Sequence, residues 1–113
     1  MKIKNFTAST SGKGLWTIQK KSIKIKRINI ESSKEDSMYI EVFFSEKDWN
    51  TTKDGLIYTD IKWLREFRQG LKDQKIPTAG IDYTEQGMQG RDYVSLQCYN
   101  KKTIQFFKKN KLA

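Results

Sequence analysis

The chain has 113 residues, 36% of them hydrophobic, with six Phe, five Tyr and three Trp, which suits one compact domain spanning 1–113. It carries 22 Lys and Arg against 13 Asp and Glu, for a net charge of +9, with no His and one Cys. The missing His excludes His-based acid–base chemistry, a Ser-His-Asp triad and nearly every zinc-site pattern, and a single Cys excludes an internal disulfide.

The predicted elements begin with a short strand on Ile3, Asn5 and Phe6, followed by a turn or loop at S-G-K-G, 11–14. From Trp16 to Ile30 β-branched residues dominate and predict a strand. Its alternation slips once: Ile23 and Ile25 share one parity, Ile28 and Ile30 the other. Such a slip flips every side chain unless a bulge absorbs one residue, so a bulge is expected at Lys26-Arg27 with both cations in solvent. After a polar turn over 31–37, Met38 to Phe44 (M-Y-I-E-V-F-F) is apolar on both parities apart from Glu41, which predicts a central strand covered on both sides.

A loop over 48–55 and a short strand over 56–58 precede a helix capped by Thr59 or Asp60. Ile61, Leu64, Phe67 and Leu71 form its apolar stripe, with Trp63 beside it, and it ends near Asp73, before Ile76-Pro77. A strand over 79–84 and a hairpin loop over 85–92 lead into Tyr93 to Tyr99, the clearest alternation in the chain. Val94, Leu96 and Cys98 point one way; Tyr93, Ser95, Gln97 and Tyr99 point the other. Asn100 caps a last helix from Lys101 to about Lys109, with Ile104 and Phe107 inward. The order β-β-β-β-α-β-β-α gives an α+β fold, an antiparallel sheet with its helices packed on one face.

Charge is distributed by segment. Residues 1–30 hold eight basic residues and no acid, 31–60 three basic and eight acidic, and 101–113 five Lys and no acid. If the fold brings the two ends together, they make one cationic face, the footprint of a polyanion binder. Within 16–30, Lys20, Lys21, Lys24, Lys26 and Arg27 are denser than a purely structural strand tolerates, because neighbouring like charges repel. A phosphate backbone would relieve that repulsion, and Trp16 could stack on a base. Lysines on a strand also guard a sheet edge against aggregation, a role compatible with binding.

The Tyr93-Ser95-Gln97-Tyr99 face is a stacking platform if open, and core or rim if the last helix covers it. Lys101 and Lys102 on that helix can reach phosphates or simply be solvated. Glu46, Asp48, Asp54 and Asp60 cluster in sequence, but their spacing shows no convergence on a metal, and turn and capping roles account for Asp54 and Asp60. Cys98, on the apolar side of its strand, reads as a small buried hydrophobe. No phosphate-binding or dinucleotide glycine loop occurs. No catalytic residue, metal or cofactor is therefore expected.

The stretch from Met38 to about Leu71, M-Y-I-E-V-F-F…K-D-G-L-I-Y-T-D-I-K-W-L-R-E-F, resembles the core of the positive-cofactor-four type of transcriptional coactivator. Gly55-Leu56-Ile57-Tyr58, Thr59 and Trp63 fill that family's later strand, cap and helix positions. The resemblance implies single-stranded DNA bound on a sheet, usually by a dimer. The β-β-α after residue 78 departs from that compact domain. In element order alone, residues 22 to 110 resemble the C-terminal double-wing domain of the phage middle-promoter activator MotA, which implies duplex DNA on the sheet.

The expected function is non-enzymatic nucleic-acid binding, single-stranded or duplex DNA, with low sequence specificity, in a transcription or replication accessory of phage-like style. Neutralising about six phosphates would give a salt slope near −5. The alternative is a small protein-binding regulator or inhibitor docking on an acidic partner. A homodimer through the basic strand fits either reading. The single Cys and the absence of a long apolar run predict a cytoplasmic protein with no membrane partner, and the lysine-bearing start M-K-I-K-N-F lacks the apolar run of a secretory leader.

Overall fold

The computed structural model describes residues 2–4, 7–10, 21–33, 36–44, 61–84 and 93–113, with side chains at all of these except 8–10, 21–23, 61 and 62. The elements are β1 (Thr7–Thr10), β2 (Lys21–Ser32), β3 (Met38–Phe44), α1 (Ile61–Asp73), β4 (Asp82–Tyr83), β5 (Tyr93–Cys98) and α2 (Lys101–Lys109). The strands pair antiparallel in the order β1-β2-β3-β5-β4, an α+β arrangement. Because β5 lies between β3 and β4, the run β3-α1-β4 is a split β-α-β unit.

The slipped isoleucine alternation of β2 resolves as a bulge. Ile25 lies opposite Phe44 and Arg27 opposite Phe43, so Lys26 is the extra residue. Lys24, Lys26 and Arg27 are exposed while Ile25 is buried. β1 pairs only with the part of β2 before the bulge, Thr7 opposite Lys24 and Thr10 opposite Lys21. Past the bulge, β2 belongs with β3, β5 and β4.

One face of this sheet carries the core. Met38, Ile40, Val42 and Phe44 of β3 alternate into it, register with Val94, Leu96 and Cys98 of β5, and are all buried. Trp63, Leu64, Phe67 and Leu71 of α1 and Ile104 and Phe107 of α2 join the same cluster, so both helices pack on that face. Trp63, beside the α1 stripe as the periodicity places it, is fully buried with it. It stacks on Phe67 with ring centroids 5.4 Å apart and meets Phe44 edge-on at 5.5 Å. Asn100 caps α2 as expected: its Oδ1 accepts from the Thr103 N–H at 3.0 Å.

Four expectations need correction. Residues 2–4 are not strand, and the first strand is Thr7–Thr10; residues 5 and 6 lie outside the described set. β2 runs on through Ser32 into the polar stretch assigned to a turn, because Asn29, Glu31 and Ser32 find ladder partners on β3. The strand expected over 79–84 shrinks to Asp82–Tyr83. Ala79 and Gly80 form a turn, Gly80 with φ +81°, closed by the Ile81 N–H donating to the Thr78 carbonyl at 3.1 Å. Finally, β3 is fully covered on one side only among the described residues: on the other, Tyr39 is 42% exposed, and Glu41 and Phe43 are half-buried. The start of the predicted 16–30 strand, the 48–55 loop and the 56–58 strand lie outside the described residues. Among the described residues, no helix is long and apolar enough to cross a membrane.

Candidate nucleic-acid interface

The face of the sheet opposite the helices is built from the residues that alternation leaves over. Register sorts them into three rows across β2, β3 and β5: Arg27–Phe43–Tyr93, Asn29–Glu41–Ser95, and Glu31–Tyr39–Gln97, the last continued by Asp82 on β4. Successive rows lie about 7 Å apart, two residues along each strand.

The first row is a cation on two rings. The Arg27 guanidinium carbon sits 4.0 Å from the centroid of Phe43, and the Phe43 and Tyr93 rings lie 4.9 Å apart at 36°. Phe43 is thus partly covered by its neighbours in the row, which favours an apolar ring there. In the second row, Asn29 Nδ2 donates to Glu41 Oε1 at 2.8 Å, which holds the one acid at the centre of the face. In the third, the rings of Tyr39 and, two residues past Gln97, Tyr99 are the most exposed large apolar side chains described, at 42% and 58%. The Tyr99 hydroxyl donates to Gln97 Oε1 at 3.4 Å.

The face is polarised. Lys24, Lys26 and Arg27 flank the ring end, while Glu31 and Asp82 flank the other. Lys101 and Lys102, expected to extend the basic surface, stand at that second end, since α2 starts just past Cys98 opposite Met38. Lys101 pairs there with Asp36 at 3.6 Å. These two cations therefore lie apart from the basic strand. The lysines that do join the strand are Lys2 and Lys111, which line a cleft with Lys26 and Arg27. One lysine from each basic end, Lys2 and Lys111, is thus brought to the strand. The signal for Lys111 in the sequence is the acid-free run over 101–113.

Trp16 and Lys20 lie outside the described residues, as do Glu46, Asp48, Asp54 and Asp60; of Lys21 only the backbone, paired with Thr10, is described. Among the described residues, no group of three or more Cys, Asp or Glu is placed to hold a metal ion. The Tyr93-Ser95-Gln97 face is not beneath α2, whose buried residues share the core with Val94, Leu96 and Cys98. Compared with known protein families, characterised proteins and solved structures, the chain matches none.

Proposed function

We propose that this chain is a non-enzymatic nucleic-acid-binding protein that receives a single strand, DNA first, on the ring end of the sheet face opposite its helices. The observation that carries this reading is the Arg27–Phe43–Tyr93 row beside Lys24 and Lys26. Rings on an accessible sheet face stack on unpaired bases, which a duplex does not offer, and adjacent cations neutralise the phosphates between them. Asn29, Ser95 and Gln97 supply few base-reading groups, so specificity is low. The likeness of the 38–71 stretch to the positive-cofactor-four type of coactivator belongs to the same proposal, though positions 55–59 lie outside the described residues.

Fluorescence anisotropy with labelled 30-mers, single-stranded and duplex, at two salt concentrations tests it, with Lys24→Glu/Lys26→Glu as comparison. Salt-sensitive binding that prefers the single strand and is lost in the double variant supports the reading. Binding that is absent at low salt, or indifferent to both lysines, overturns it. A second reading, a protein-docking module, rests on the exposed Tyr39 and Tyr99 at the acidic end, since exposed Tyr is enriched in protein interfaces. A pull-down whose partners survive nuclease treatment would favour it.

A further inference from the structure

Between β2 and the two terminal segments lies a cleft of about 450 Å³ that the sheet-face reading does not use. Local structure creates it. Residues 2–4 do not extend the β1 ladder along β2, because Lys4 is drawn to the end of α1: its N–H donates to Gln74 Oε1 at 2.7 Å, and Gln74 Nε2 donates back to the Lys4 carbonyl at 3.2 Å. On the other side, Lys111 takes φ +58°, and the Leu112 N–H donates to the Phe107 carbonyl at 2.8 Å. This reversal turns Leu112 back against the core and sets Lys111 at the cleft.

The lining divides cleanly by chemistry. Among the described residues that line it, Ile3, Ile28, Ile30 and Leu112 are aliphatic, Lys2, Lys26, Arg27 and Lys111 are cationic, and none is acidic. The volume falls within the range of about 300–1,000 Å³ usual for small-ligand sites. The Arg27 guanidinium lies over Phe43 on the opposite face of the sheet, so the charges that border the cleft are those of Lys2, Lys26 and Lys111. Three positive charges around one small volume call for more than a single negative charge. A phosphate monoester carries about −1.5 to −2 near neutral pH, which a carboxylate cannot match. The aliphatic side chains call for an apolar body on the same molecule. We propose that this cleft binds a phosphate monoester with an apolar body. The site is separate from the ring row, although Lys26 and Arg27 border both.

Isothermal titration of the full chain with octyl phosphate, below its micellar concentration, tests this. The variants are Lys111→Gly and Lys75→Gly, two positions with left-handed backbone that glycine accepts, so both are expected to fold. The expected result is saturable one-to-one binding, weakened about fivefold by Lys111→Gly and unchanged by Lys75→Gly, which lies outside the cleft. Inorganic phosphate and 1-octanol should each bind at least about tenfold more weakly than octyl phosphate. No binding of octyl phosphate, equal binding of inorganic phosphate, or equal loss in both variants would overturn the proposal.

Discussion

Two lysines sit where helix ends favour glycine. Lys75 and Lys111 have φ of +65° and +58°. Each closes a helix with a paired reversal: Ile76 N–H to the Leu71 carbonyl with Lys75 N–H to that of Lys72, and Leu112 N–H to the Phe107 carbonyl with Lys111 N–H to that of Lys108. A side chain in this region costs about 1–2 kcal/mol, so Lys75→Gly should raise stability by about 0.5–1 kcal/mol in urea unfolding, after the greater freedom of glycine in the unfolded chain is subtracted. Gly80 is the converse. A Cβ there would come within 2.7 Å of Asn100 Cβ and 3.3 Å of Cys98 Sγ, in a backbone with φ +81°. Gly80→Ala should cost about 2–3 kcal/mol by the same measurement, since it strains the turn and pushes on the cap of α2. Burial pushes the Cys98 thiol up, opposed in part by a backbone hydrogen bond at Asn100, and its S–H donates to the Ala79 carbonyl at 3.4 Å. The folded state therefore keeps this proton longer than the unfolded one. Its contribution to stability is full below about pH 8.5 and is lost as pH rises from there toward the higher folded value. Unfolding of Cys98→Ala should show a shallower decline above that pH, and the native thiol should resist disulfide reagents until the chain unfolds.

At the scale of elements, what was legible depended on how local the determining signal was. The β5 alternation, the bulge at Lys26, the Asn100 cap and the end of α1 at Asp73 follow from neighbours in sequence, and the structure has them. The position of β1 and the shortness of β4 are set by pairing across the chain and by the turn at Gly80, which local patterns do not encode. The β3 reading failed for a related reason. Its outer face is held by aromatics that cover one another and by Arg27, so apolar content on both parities did not mean two covering layers. That same arrangement makes the ring row testable. Phe43→Leu removes the ring that seats Arg27 and packs on Tyr93, and should weaken single-strand binding by about 1 kcal/mol while changing the fold little, as near-ultraviolet and far-ultraviolet dichroism would confirm. Glu41→Gln should act in the opposite direction. It removes the central negative charge but keeps an oxygen for Asn29, and anisotropy should read about a threefold gain in affinity.

For the whole molecule, the long-range fact is where the charges end up. The sequence shows that both ends are acid-free, but only the fold can decide which cations meet. It brings Lys2 and Lys111 to Lys26 and Arg27 and leaves Lys101 beside Asp36 at the far end of the sheet. Cations gathered at one end of a polarised face should release counterions together. With the three at the ring end, Lys24, Lys26 and Arg27, engaging a single strand, log K should fall with log salt with a slope of about −2. The proposed contact surface is the ring end of the face opposite the helices. The most direct measurement is a nitrogen-15 chemical-shift titration of the labelled protein with a short oligothymidylate. The expected result is shifts concentrated on Lys24 to Arg27, Phe43, Tyr93 and Ser95, with α1 and the Lys101–Lys102 end little changed. Shifts confined to α2 and the Lys101–Lys102 end, or none at saturating oligonucleotide, would contradict it.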